Sequence, residues 1–496
     1  MRTLRRTIVS LALVLVTSVS AWGYDFKVDG IAYSFVEDGS GKYVSVVKNG
    51  DYDTSDNPII VIPSAITYDG IEYPVISIGS EAFKDCNNYL QRIIIPESLE
   101  IIGSAAFKGC SLIADITIPN CVRGIGREAF ADCSSLSSII IPENVTNIRE
   151  RVFSGCSSLT TISLPAGLTS IEGSAFSGCS SLTSIDIPDG VTSIGGQAFN
   201  GCGSLTSMNI PAGVTSIGNA AFGFDSQLLH LTIKGNAIAD FSTITGGTGI
   251  LGNPPLFFVD EGLYDQYAST PGWCDYNKRI ISAEMLKPVT VEVAATEDES
   301  ALFTKLGNNS KYVANLKIIG SINGYDIMTL RNKTIHLLYL DLSEANIVAN
   351  DGGYEYYTGC SLNADNVLGF HSFADLLLEE IILPKSLLSI GDNAFSGCKL
   401  LEKVIFQDGL LSIGYEAFKG CLLKEIDLPS SLLEIGGAAF NNCLKLSGLL
   451  RIPDKITVIK AGTFASNVFK VRLLVKVILL TKMSLFITTV KQVVLV

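Results

Sequence analysis

Apolar and polar positions alternate over short reaches along most of this chain. Leu159, Ile162 and Leu164 follow the pattern L-x-x-I-x-L, with Thr161 and Ser163 between the last two. That is the period of a strand with one face buried. Pro165 ends the strand, because proline has no N–H for a ladder. Ala166-Gly167 is turn chemistry. Leu168 and Ile171 make a second short apolar run, Gly173 breaks it, and Ala175-Phe176 turns an aromatic inward before Gly178-Cys179. No run is long enough for a four-turn helix. The pattern predicts one or two short strands plus turns, closed into a coil.

The same unit then starts again. SSLTTISLPAGLTSIEGSAFSGC is followed by SSLTSIDIPDGVTSIGGQAFNGC. Phenylalanine keeps the register at Phe83, Phe107, Phe130, Phe153, Phe176, Phe199 and Phe222, spaced 24 once and then 23. A second array carries Phe373, Phe395, Phe418, Phe440 and Phe464, spaced 22, 23, 22 and 24. A fixed period in this range means a mainly β solenoid whose units cannot bury their apolar faces alone. Each buried Phe, Leu or Ile is worth roughly 1.5–3 kcal/mol, so the core is ample only when a neighbouring coil is present. Function belongs on the surface of such a stack.

Ile187-Pro188, Val191-Thr192-Ser193-Ile194-Gly195, Ala198-Phe199, Gly201-Cys202 and Ser204-Leu205 spell one full unit. This string resembles the BspA-like leucine-rich repeat family of bacterial surface and secreted proteins, and it covers roughly half the chain as clear repeats. The resemblance implies a leucine-rich-repeat solenoid, adhesion to host proteins or other cells, and no catalytic residues.

The flanks differ. Residues 1–23 read as a secretory signal: Arg2, Arg5 and Arg6 are basic, Ile8 to Val19 is apolar, and Ala21-Trp22-Gly23 offers small residues for cleavage before Tyr24. The implied location is secreted or on the cell surface, and the mature chain is expected to lack a membrane span. Residues 24–75 are strand-rich and lack the repeat, as an N-terminal cap would. Hairpin turns are expected at Gly39-Ser40-Gly41 and Asn49-Gly50-Asp51. Residues 76–281 form the first array with a closing segment, in which Tyr264, Tyr267 and Trp273 are either a sugar platform or, preferably, a hydrophobic cap. Residues 282–366 intervene and are partly repeat-like, with strands expected around Leu316 to Ile322 and around Leu337 to Leu342. Residues 367–466 form the second array. Residues 467–496 leave the repeat and hold no acid, so this tail is either an unusual cap or the product of a slipped reading frame.

Nine of the twelve cysteines stand three residues after a repeat phenylalanine, among them Cys133, Cys156, Cys179 and Cys202. Export permits disulfides, but equivalent positions in stacked coils have parallel side chains that miss bridge geometry. They are expected to be buried thiols. With no C-x-x-C and only His230, His336 and His371, neither a metal nor another cofactor is expected. A net charge of −13 argues against nucleic acid, which rewards a basic face. There is no G-x-S-x-G, no H-E-x-x-H and no phosphate-binding glycine loop, so the chain is not expected to be an enzyme.

The outward strand positions remain. In the first array they form two columns, Asp115, Ser138, Thr161, Ser184, Ser207, His230 and Thr117, Ile140, Ser163, Asp186, Asn209, Thr232. Small and polar, these are also what any solvated strand would carry. In the second array the columns become Glu380, Lys403, Glu425 and Ile382, Ile405, Asp427. This mixed face, with Tyr354, Tyr356 and Tyr357 on a nearby loop, is the candidate binding surface. The expected partner is an extracellular protein or cell-surface ligand. A glycan of an uptake system, or no ligand at all in a structural spacer, are the alternatives.

Overall fold

The structure is a computed structural model of the 496-residue chain. It describes residues 23–38, 41–48, 58–87, 90–223, 227–235, 255–270, 273–296, 299–349, 364–447, 449–467, 470–473 and 493–495. The leader, Gly39 and Ser40, the Asn49-Gly50-Asp51 turn and the tyrosines 354, 356 and 357 lie outside these residues. The fold is a mainly β leucine-rich-repeat solenoid. It divides into two compact units that meet in sequence between Ile280 and Ile281.

The first unit opens with antiparallel strands Phe26–Val28, Ile31–Asp38 and Gly41–Val46. A further hairpin joins Ala65–Tyr68 to Ile71–Ile78. Two of the turns are Asp29-Gly30 and Asp69-Gly70. Both residues of each have positive φ, 48° and 79° in the first and 50° and 76° in the second, as a two-residue turn matching strand twist requires. Ile71–Ile78 then pairs in parallel with Gly41–Val46 on one side and with the two-residue strand Ile101–Ile102 on the other. The cap therefore passes its register directly to the coils.

Each coil contributes short strands in parallel ladders. Asn147, Ser170, Ser193 and Ser216 stand in register on one side. On the other, Ser138–Ile140 pairs with Thr161–Ser163, and Ser207–Ile210 with His230–Ile233. The core is a stack of rings. From Phe83 to Phe222, successive phenylalanine centroids are 5.3 to 5.7 Å apart with planes within 11°.

Beside the rings runs a column of thiols. Cys110, Cys133, Cys156, Cys179 and Cys202 each donate Sγ–H to the carbonyl of the phenylalanine one coil back, at 3.0 to 3.3 Å. That carbonyl also accepts the amide of its own coil's cysteine, for example Cys179 N to Phe176 O at 3.1 Å. Both lone pairs are used, and the cysteines are free thiols. The thiols thus do more than fill space: they aim a weak donor at a buried carbonyl. Closure comes from helix Tyr264–Ser269 and Trp273, which is fully buried and edge-on to Phe257 and Tyr267.

The second unit begins with strands Val289–Val293, Asn315–Ile322 and Tyr339–Ile347, which pair in parallel and lead directly into Glu380–Ile382 and Lys403–Ile405 of the repeats. Two helices connect the first three strands. Gly324–Asn332 starts from a capping box in which Asn323 accepts from the Asp326 amide and Asp326 accepts from the Asn323 amide. Asp326 also accepts from Leu302 N at 2.8 Å and Ser300 Oγ at 2.9 Å, so its buried carboxylate binds the start of helix Ala301–Leu306 to the same cap.

The ring stack returns from Phe373 to Phe464 with spacings of 4.9 to 5.6 Å. The thiol ladder returns with it at Cys398, Cys421 and Cys443. Its last position among the described residues is Asn467, which donates Nδ2 to Phe440 O and accepts the Cys443 amide, both at 2.9 Å. The repeat thus holds through 467, and backbone strand Lys470–Leu473 still pairs with Leu449–Ile452.

Candidate binding surface

The outward columns are set by the parallel register. In the first unit Asp115, Ser138, Thr161, Ser184 and Ser207 are all exposed, as are Thr117, Ile140, Ser163, Asp186 and Asn209. His230 and Thr232 are half-buried at the end of the column, where His230 meets Phe258 edge-on at 5.4 Å. Ile140 is 72% exposed in this otherwise polar face. Farther toward the N-terminus the face turns apolar, with Val61 paired to Ile94 and both exposed. Partly exposed ion pairs line the turns after the second strands: Lys108 meets Glu128 at 2.5 Å, Arg127 meets Glu150 at 3.2 Å, and Arg151 reaches Glu128 at 3.6 Å and Glu150 at 3.9 Å. Lys108 and then Arg151 hold the Glu128 carboxyl below its usual range.

In the second unit the strands align Asn315, Tyr339, Glu380 and Lys403 in one column and Lys317, Asp341, Ile382 and Ile405 in the next. Lys403 Nζ pairs with Glu380 Oε1 at 2.9 Å. Ile382 and Ile405 are neighbours in register and half-buried. Glu425 and Asp427 are placed on the two columns in turn, because Lys424 N bonds Glu402 O just as Glu402 N bonds Glu379 O. Their segment forms no named strand.

The sheet also brings in residues that the sequence pattern did not single out. Lys317 pairs with Glu344 at 2.6 Å and Asp341 at 3.6 Å. Tyr339 Oη donates to Glu379 Oε2 at 2.6 Å, and partial burial together with that carboxylate pushes its phenol well above the ordinary value. The signal for Tyr339 and Asp341 was the L-x-x-L-x-L run at Leu337 to Leu342, in which they alternate with buried Leu340 and Leu342. The sugar-platform reading of the closing segment does not fit: Trp273 and Tyr267 are fully buried and Tyr264 is 7% exposed. Among the described residues no group of His, Cys, Asp and Glu is arranged to hold a metal ion. Among them, too, no helix is long and apolar enough to cross a membrane.

A family model described as a BspA type leucine rich repeat region matches residues 64–179, 146–244 and 366–477, together more than half of the chain. No curated protein matches. Among solved structures, a leucine rich cell surface protein from Faecalibacterium prausnitzii is similar at 23% identity over 90% of this chain and 94% of its own, with a TM-score of 0.37. A leucine-rich repeat protein from Bacteroides ovatus is similar at 22% identity over 87% of this chain and 95% of its own, TM-score 0.31. The T. pallidum leucine rich repeat protein is similar at 23% identity over 49% of this chain and 91% of its own, TM-score 0.28.

Proposed function

The chain belongs to the BspA-type leucine-rich repeat family, and from that premise we propose that it is an exported, non-enzymatic binding protein of the bacterial surface. In this reading it adheres to host or neighbouring-cell proteins through its outward strand face. The observation that carries the reading is the five-strand face of the second unit. There Lys317 and Lys403 pair with Asp341, Glu344 and Glu380 beside half-buried Tyr339, Ile382 and Ile405. Charged side chains around a few apolar ones match the polar rim and apolar centre of a protein interface. Exposed pairs such as Lys403–Glu380 add about 0–1 kcal/mol to folding, so a partner can recruit their charges without unfolding the coil. Glu425 and Asp427 extend the same candidate surface, and the tyrosines 354, 356 and 357 are assigned to it from the sequence alone.

The test is a binding screen of the full chain against immobilised matrix proteins and a glycan array in parallel. Saturable protein binding that survives excess sugar supports adhesion. Lys403→Ala with Glu425→Ala should then weaken it several-fold with unchanged melting, and unchanged affinity would sink this surface. Binding to glycans alone would favour a sugar receptor, and silence on both would favour a spacer. Affinity without turnover is expected throughout.

A further inference from the structure

The helical side of the second unit concentrates positive charge in an acidic chain. Between Ser300 and Tyr339 the sequence holds five bases and a single acid, against a net charge of −13 for the whole. The acid, Asp326, is taken up in the buried cap that starts helices Ala301–Leu306 and Gly324–Asn332. Of the bases, Lys317 pairs with Asp341 and Glu344 on the outward face, and half-buried Arg331 donates to His371 O. The other three, Lys305, Lys311 and Lys333, are exposed. Among the described residues no carboxylate pairs with Lys305 or Lys333.

The fold brings these three to one end. Both helices connect parallel strands and both start at the Asp326 cap, so they run the same way. Lys305 is in the last turn of the first helix, and Lys333 is the residue that ends the second. Lys333 Nζ stands 5.8 Å from the centroid of the Phe303 ring. The 3-10 turn Gly307–Tyr312 continues from the first helix, and its Lys311 carbonyl accepts from Nδ1 of His336, three residues past Lys333. Lys311 Nζ lies 4.5 Å from the centroid of Tyr312. An ammonium over a ring face keeps its charge and its other side for a ligand. Leu302 and Leu330 of the helices share a core with Val291 and Leu316 of the strands. The helices therefore cover the inner side of strands whose outer side carries Lys317 and Asp341, and the three lysines belong to a second surface.

We propose that this surface binds an anionic polysaccharide, one that carries carboxylate or sulfate groups along its length. Cations at the ends of neighbouring helices meet anions repeated along a polymer, and the negative charge of the rest of the chain confines such a ligand to this place. The exposed amides of Asn308, Asn309 and Asn332 stand on the same elements and offer donors and acceptors to sugar hydroxyls. Phe303, 37% exposed, offers an apolar face to the C–H groups of a sugar ring. A lipid surface fits less well. Phe303 is the one large apolar side chain exposed among the described residues of these helices and strands, whereas a helix lying on a membrane buries a whole apolar face. The proposal does not use the outward strand face, so either surface can fail without the other.

Titration of the full chain with polygalacturonate, dextran sulfate and neutral dextran, from about 50 to 300 mM salt, tests this. Binding to a charged polymer and not to neutral dextran is expected. Its affinity should fall with salt at a log–log slope of roughly −2 to −3, about one released ion per lysine. Lys305→Gln, Lys311→Gln and Lys333→Gln combined should weaken it at least about tenfold with unchanged circular dichroism. The same charge removed at Lys385, Lys445 and Lys455, exposed elsewhere in this unit, should leave most of the affinity. Should the first triple variant fail to fold, the three single variants decide, each weakening binding about two- to threefold. Absence of binding to both charged polymers, or an equal loss in the two triple variants, would overturn the proposal. So would tighter binding to phosphatidylglycerol vesicles or to DNA than to either polysaccharide.

Discussion

Glycines of neighbouring coils sit in three different surroundings, and substitution distinguishes them. A Cβ on Gly195 would lie 2.4 Å from Gly173 N and 2.5 Å from Glu172 C, both backbone of the previous coil. Gly178 has a φ of +77° with nothing nearer than 3.6 Å. Gly203 has open space and no unusual φ. Alanine should therefore cost about 3 kcal/mol at Gly195, where packed backbone must shift, and about 1 kcal/mol at Gly178, where only the left-handed conformation is lost. At Gly203 it should be neutral or slightly stabilising. Chemical denaturation of the three variants checks the order. Arg149 and Glu172 hold the Gly195 position in two other coils, so the cost is that of moving a coil already set, not an absolute bar.

The thiols make a second prediction at this scale. Burial pushes Cys86 up to about 11 and Cys398 and Cys443 up to about 12, and Cys110, Cys133, Cys156 and Cys179 are raised as well. All stay protonated and unreactive at neutral pH. In a Cys360→Ser background, a thiol reagent at pH 8 should label the exposed Cys121 and Cys274 and leave the ladder silent until the chain is denatured. Rapid labelling of ladder cysteines in the native state would contradict the burial.

At the scale of elements, the ion pairs of the first array should answer to pH. The folded carboxyl of Glu128 titrates below its usual value. Its contribution is therefore present above the ordinary carboxylate pKa of about 4.3 and fades as pH falls through the lower folded value. Glu128→Gln should lower stability by less than about 1 kcal/mol at neutral pH. Melting curves of the two proteins should converge in acid and in high salt. A difference that persists in acid would assign the effect to packing.

The strands and the ring stack were legible because burial there repeats with a fixed period. The L-x-x-I-x-L positions and the phenylalanine column say which way each side chain points. Other elements carried local signals that the period hides. Asp29-Gly30 and Asp69-Gly70 are turn dipeptides inside a strand-rich cap. Asn323 and Asp326 form an N-x-x-D capping box in a stretch where no repeat guides the eye. The outward placement of Leu388, Leu411 and Leu433 was not legible. In a run such as SLLSI the two leucines look alike, and only the corner of the coil sends the second one outward. The same limit held for Tyr339 and Lys317, whose neighbours come from strands far apart in sequence.

For the whole molecule, the ends differ from the middle. The first unit starts on antiparallel hairpins and closes on Trp273 and the helix Tyr264–Ser269. The thiol ladder of the second ends on an asparagine. Between such ends each coil meets its neighbours through the same register, Ser170 to Ser193 to Ser216. Stability of such a stack is a sum of units and nearest-neighbour interfaces. A single excised coil should be unfolded. Removing residues 180–202 in frame should leave a folded chain with a modestly lower melting temperature, whereas replacing Trp273 with alanine should cost about 3–5 kcal/mol. Thermal unfolding of both variants checks the contrast.

Such a register carries a consequence for inheritance. Since nothing in the ring or thiol columns marks one coil as different from the next, unequal recombination between neighbouring repeats in the gene yields another foldable product, longer or shorter by one rung. Reach becomes a trait that can change by counting, without new packing to be discovered each time. The caps, encoded once, are the parts that such a lineage cannot lose.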